Sequence, residues 1–261
     1  MEEQLFKLSK EFKFQVEQKQ PDSVACKKLL TKLKIAMAEE GILFPGTDFP
    51  LDPKNIVFTR DVLELAVIMS VKLEDMDLFE RQVSQVKPYY FDYGTEIKKS
   101  ENELLILGMN LLYLLSLNRI GEFHTELELI EFESRSNPFI KFNLQVEELL
   151  LDGNYLGIQT ICEKPPSDLY SVFVSRLKLS IQELILDCTN KSYKSLDLKT
   201  AKDLFMMESI EEVKEMAKTN NWRIVDNKLF FENLDEDEEK IPTNKVIREI
   251  IGYAKELEKI I

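Results

Sequence analysis

The chain has one histidine, His124, set between two carboxylates in Glu122-Phe123-His124-Thr125-Glu126. An imidazole flanked by carboxylates has the makings of a general base. A base needs a nucleophile to activate, and no nucleophile motif lies near it. The segment has the pattern of an ordinary helix, so His124 reads as a structural or interface residue. Cys26, Cys162 and Cys188 are scattered without paired spacing, which gives neither a zinc motif nor a disulfide framework. Gly153 and Gly157 lack the following Gly or Lys-Ser/Thr of a phosphate-binding loop. Carboxylate pairs abound, but on Lys-rich helical segments they read as solvated faces. The cluster Tyr89-Tyr90-Phe91-Asp92-Tyr93 could offer a ligand a stacking platform, although core packing at a helix end is the simpler reading. No catalytic, cofactor-binding or metal-binding residue is assigned, and no enzyme is expected.

Charge narrows the remaining classes. At 261 residues and a net charge of −13, the chain is a poor general binder of nucleic acid, because phosphate contacts need clustered Lys and Arg. Its apolar content of 44%, with 16 Phe, marks a globular protein able to bury a large core. The longest apolar run, Leu104 to Leu117, is broken by Asn110 and Ser116 and is too short to span a bilayer. The start, Met1-Glu2-Glu3-Gln4, is acidic, unlike a signal peptide. No membrane partner is expected. Unpaired cysteines suit a reducing compartment, cytosol or nucleus.

Helical periodicity fills most of the sequence. The spacing predicts helices over 3–17, from 21–23 to Gly41, and over 55–71, 74–90, 101–117, 121–132, 138–151, 154–162 and 167–188. A loop with three prolines, Phe44 to Pro53, separates the second helix from the third. The segment 101–117 is apolar nearly all round and should lie at the centre. Helix pairs recurring at roughly 35-residue spacing would resemble tetratricopeptide-like repeats, with no alignable consensus.

From Ser195 to Phe231 the signals change. Leu198, Ala201, Leu204 and Phe205 form one helical stripe, with Ser195 or Asp197 placed to cap it. Ser209 opens a second helix, with Glu212 three residues on as in a capping box. Trp222-Arg223-Ile224-Val225 and Lys228-Leu229-Phe230-Phe231 then flank Asp226-Asn227, a two-residue loop suited to positive φ. Helix, helix, hairpin is the order of a winged helix. Such folds often read DNA with their second helix. Here that helix carries Glu211, Glu212 and Glu215 against Lys214 and Lys218, and Lys191 to Lys240 holds 9 basic and 13 acidic residues. Protein pairing is the better assignment. An acidic stretch follows, and then a final helix to Ile261 with Val246, Ile250, Tyr253, Leu257 and Ile260 on one stripe.

These elements together resemble the PCI domain, the scaffold module of the proteasome lid, the signalosome and translation initiation factor three. The runs Leu78-Phe79-Glu80-Arg81-Gln82, Lys87 to Tyr93, Leu107 to Arg119, Glu122 to Glu128 and Tyr253 to Ile261 are similar to the small PCI-domain subunits of the 26S proteasome lid, the non-ATPase regulatory subunit eight family. The similarity spans about Leu29 to Ile261 and is most specific from Phe79 to Glu128. It implies a mainly α protein in four parts: tetratricopeptide-like repeats over 1–190, a winged helix over 191–234, an acidic linker over 235–242 and an assembly helix over 243–261. It also implies a non-catalytic subunit, cytoplasmic and nuclear, that supports ubiquitin-dependent degradation. Its partners would be other PCI-domain lid subunits, and the base through the assembled lid.

Two surfaces are expected to make those contacts. The hairpin, with Trp222, Ile224, Leu229 and Phe231, would offer a strand edge to a neighbouring winged helix. The final helix, with Val246, Ile250, Tyr253, Leu257, Ile260 and Ile261, would dock on partner helices. The competing readings are the corresponding small subunit of initiation factor three or the signalosome, and a winged-helix nucleic-acid binder.

Overall fold

The computed structural model describes residues 2–17, 23–43, 53–93, 97–207, 209–220, 222–225, 227–231 and 243–259. The expected proline-rich loop (except Pro53), the acidic linker, Asp226, Ile260 and Ile261 therefore lie outside the described residues. Contacts divide the chain into two units, Met1–Ile181 and Gln182–Ile261.

The first unit is helical: α1 (Glu2–Glu17), α2 (Ser23–Glu39), α3 (Pro53–Lys72), α4 (Met76–Phe91), α5 (Glu103–Ser116), α6 (Ile120–Leu129), α7 (Pro138–Leu151), α8 (Tyr155–Cys162) and the start of α9 (Tyr170–Ser192). Successive helices from α1 to α6 pack on one another, and α7 packs on α5 and α8. The α1–α3 core gathers Leu5, Phe12, Val16, Leu30, Leu33, Met37, Val62, Ala66 and Met69. Every residue of α5 from Ile106 to Ser116 is buried, as its all-round apolarity requires. Burying each of its large side chains contributes about 1.5–3 kcal/mol before ordering costs.

Short turns join these helices, and their chemistry is local. Asp75 caps α4 by accepting the Leu78 N–H at 3.1 Å, and Lys27 of α2 reaches the same carboxylate at 2.7 Å. Asn118 takes φ 57° between α5 and α6, and the Arg119 N–H donates back to the Leu114 carbonyl at 3.0 Å. That left-handed cap ends α5. Asn137 caps α7 through the Phe139 N–H, with Pro138 at the first turn. The sixth helix is shorter than its periodicity suggests. It stops at Leu129, and Phe132–Ser136 forms a 3-10 turn before α7.

The second unit holds the end of α9, then β1 (Ser195–Asp197), α10 (Leu198–Leu204), α11 (Ile210–Thr219), β2 (Arg223–Val225), β3 (Lys228–Phe230) and α12 (Thr243–Glu258). The strands form an antiparallel sheet in the order β1-β3-β2. β1 corrects the reading of Ser195–Asp197 as cap alone. Ser195 pairs with Phe230 and Asp197 with Lys228, so a partner over thirty residues downstream makes this segment a strand. Asp197 still occupies the N-cap position of α10, without a side-chain hydrogen bond. Ser209 caps α11 as expected, accepting from the Glu211 N–H at 3.2 Å. Asn227 takes φ 63° in the hairpin loop.

Candidate functional site

Cross-strand pairing sets the faces of the small sheet. Leu196, Leu229 and Ile224 lie opposite one another, so they share one face. Leu229 is fully buried, as are Leu198, Ala201, Phe205, Val213 and Ala217 of the helices beside it. Phe231, two residues on from Leu229, is buried as well. Trp222 is half-buried between aromatics, its ring centroid 5.9 Å from Phe205 and 4.8 Å from Phe231. The opposite face carries Phe230 and Val225, 40% and 53% exposed.

The expected site residues are therefore of two kinds. Leu229 and Phe231 build the interior. β3, which carries Leu229, is the middle strand, because β1 occupies the side that a lone hairpin would leave open. The outer edges of the sheet belong to β1 and β2, and Ile224 is the expected residue that stands at one of them, partly exposed. Val225 and Phe230 were not singled out from sequence. Strand alternation around a buried Leu229 is the signal that would have found them.

In α12, Val246, Ile250, Tyr253 and Leu257 are all exposed, Tyr253 at 77%. Ile247 and Ile251 extend the same apolar surface and are also exposed. A surface helix normally turns such a stripe toward its own core. Six large apolar side chains on the sixteen residues of α12 are here exposed to solvent.

The candidates for chemistry resolve into structure. The Tyr89 hydroxyl donates to the Leu43 carbonyl at 2.7 Å. The Tyr90 hydroxyl donates at 2.9 Å to Glu64, a buried carboxylate that also accepts from Ser100 at 2.9 Å and Asn102 at 3.2 Å. Desolvation, followed by the Glu64 charge, pushes the Tyr90 phenol far above its ordinary range. The aromatic cluster thus contributes two buried tyrosines to the core. His124 is half exposed on α6, its Nε2 3.5 Å from Glu147 of α7. Cys26 and Cys162 are buried, Cys188 is exposed, and all three are free. Among the described residues no group of three or more His, Cys, Asp or Glu is placed to hold a metal ion, and no helix is long and apolar enough to cross a membrane.

The described residues thus form a mainly helical protein with a small three-stranded sheet and one exposed apolar helix, α12. The CSN8/PSMD8/EIF3K family model matches residues 101–243, more than half of the chain. The chain belongs to this family. It is 33% identical over 267 residues to the 26S proteasome non-ATPase regulatory subunit 8 homolog A of Arabidopsis thaliana, with 100% of both chains covered. It is 30% identical to the 26S proteasome regulatory subunit rpn12 of Schizosaccharomyces pombe, over 91% of this chain and 93% of the relative. Identity to the corresponding subunit of Saccharomyces cerevisiae is 26%, over 92% and 93%.

Proposed function

We propose that this chain is a non-catalytic scaffold subunit of the 26S proteasome regulatory particle lid, supporting ubiquitin-dependent proteolysis. End-to-end similarity to 26S regulatory subunits of a plant and two yeasts is the observation that carries this reading. The initiation-factor and signalosome readings stay within the same family description. Full-length likeness to proteasome subunits favours the lid.

In this reading the first nine helices act as tetratricopeptide-like repeats, and β1-α10-α11-β2-β3 act as the winged helix of a PCI domain. The outer edge of β2 pairs with a neighbouring PCI subunit, since an edge strand presents unpaired backbone groups. α12 joins partner helices through Val246, Ile250, Tyr253 and Leu257, with Ile260 and Ile261 completing the stripe. The matched family segment ends at Thr243, the first residue of α12, which suits a helix that answers to one particular assembly. Cytosol and nucleus are the proposed compartments, in keeping with three free cysteines. A nucleic-acid role is disfavoured by the acidic α11, where Glu211, Glu212 and Glu215 outnumber Lys214 and Lys218.

Affinity purification of the tagged full chain at native expression, followed by mass spectrometry, tests the reading. Stoichiometric recovery of regulatory-particle subunits is expected. Recovery of initiation-factor or signalosome subunits in their place would overturn it.

A further inference from the structure

Lys34 of α2 is held unlike the paired lysines of this chain. It is half-buried, and its Nζ donates to Oε1 of Gln82 at 2.6 Å and to Oε1 of Gln85, both on α4. Both acceptors are neutral amides. Lys87 and Lys99, by contrast, each meet a carboxylate at 2.6 Å, which favours the ammonium form. No ion pair among the described residues uses Lys34. Of the charged groups on α2 and α4, Lys27 is paired with Asp75, Glu80 with Arg119 and Lys87 with Glu126. Lys28, Lys32 and Glu39 of α2, and Asp77 and Arg81 of α4, make no ion pair with Lys34, nor does any charged group of α1 or α3, the helices packed on α2. Burial lowers the Lys34 ammonium to about 8, so roughly a tenth of it is neutral amine at pH 7. A neutral amine has two N–H groups and one lone pair. Gln82 and Gln85 take the two N–H groups, which leaves the lone pair unengaged. Gln85 also borders an open hollow of about 330 Å³, with Leu63, Pro88, Tyr89 and Tyr93 among its walls.

We propose that Lys34 is a modification site, acylated at Nζ by short-chain acyl thioesters, with the hollow beside Gln85 giving the acyl group room. The lone pair attacks the thioester carbonyl, a C–N bond forms and the C–S bond breaks. The leaving thiolate is matched by the proton that the attacking nitrogen gives up to water, so the products are an amide and a free thiol. The amide keeps one N–H for the buried Gln82, and the exposed Gln85 turns to water. Loss of the positive charge strands no carboxylate, because none was paired with it. This site goes beyond the lid reading and does not depend on it.

The test incubates the full chain with acetyl-coenzyme A over a range of pH and follows each lysine by peptide mass spectrometry. At neutral pH Lys34 should acetylate several-fold faster than Lys28 and Lys32, which are exposed on the same helix. Its rate should rise with pH and level off above about 8. Q85E, altered at an exposed position, places a carboxylate on the amine; it should slow Lys34 several-fold at neutral pH and move its profile to higher pH, with unchanged circular dichroism. Chain purified natively from cells should carry a short acyl group on a fraction of its Lys34 peptide. Labelling of Lys34 no faster than that of Lys28 and Lys32 would overturn the proposal. So would a pH profile that Q85E leaves in place, or a Lys34 peptide wholly unmodified in the native chain.

Discussion

Gly108 of α5 makes room for Tyr170 of α9: a Cβ built on Gly108 would lie 2.1 Å from the Tyr170 hydroxyl oxygen. Tyr170 is fully buried, so it has nowhere to retreat. Its ring stacks on Phe139 at 6.1 Å, and its hydroxyl donates to the Phe139 carbonyl at 3.4 Å. Helix propensity alone would favour Ala at position 108. Close packing outweighs it. G108A should destabilise the chain by about 1–3 kcal/mol through overpacking, measured by urea unfolding. In a Y170F background the same substitution should cost less, because the clashing oxygen is gone. An additive double-mutant cycle would contradict this account of the contact.

The buried Glu64 network gives a second prediction. Glu64 accepts from Tyr90, Ser100 and Asn102, and the Arg60 Nε lies 3.7 Å from its carboxylate. Removing the carboxylate strands the buried Tyr90 hydroxyl and takes an acceptor from half-buried Ser100 and Asn102, and Arg60 is left with Asp61 and the Lys98 carbonyl. E64A should cost about 3–5 kcal/mol, the usual penalty for breaking a buried ionic network. E131A removes the exposed Lys99–Glu131 pair, whose side chains are 59% and 67% exposed. It should cost about 1 kcal/mol or less. Chemical denaturation of both variants checks the contrast.

Asp75 carries the clearest pH dependence. The hydrogen bond from Lys27, then that from the Leu78 N–H, holds its carboxyl below the usual carboxylate range. A carboxylate with a depressed folded pKa stabilises the fold in full above its unfolded pKa. That stability is lost as pH falls through the folded value. At neutral pH D75A should lose about 0.5–2 kcal/mol, the range for an N-cap. The gap between wild type and D75A should narrow as the solution is acidified into and below the carboxylate range. A gap that held constant down to acid pH would contradict the assignment.

Leu229 and Val225 should behave oppositely, although four residues apart. Leu229 pairs on both sides, with Leu196 and with Ile224, so L229P should disrupt the sheet itself and L229A should cost about 2–5 kcal/mol. Val225 is exposed on the edge strand. V225K should leave unfolding unchanged and weaken recovery with lid subunits. Thermal unfolding and co-purification of the two variants separate interior from edge.

Most helices were legible because helical period and core burial agree. The apolar run of α5 foretold its burial on every side. β1 was not legible, since Ser195-Leu196-Asp197 has cap chemistry and its strand character comes only from β3. The end of α6 was hidden for a related reason. Phe132 continues the apolar rhythm yet is 83% exposed, so periodicity overran the helix. The stripe of α12 could be read from its spacing, but the surface that would cover it could not. Amphipathicity records that a face wants burial and leaves the covering partner unnamed.

Sedimentation of the full chain in cell extract is the most direct test of the central claim, that α12 carries this subunit into a larger assembly. Wild type should migrate with the regulatory particle. I250D/Y253D/L257D, altered only at exposed positions, should migrate as a folded monomer with unchanged circular dichroism. Co-migration of the triple variant with the particle, or a wild-type chain found only as free monomer, would contradict the account.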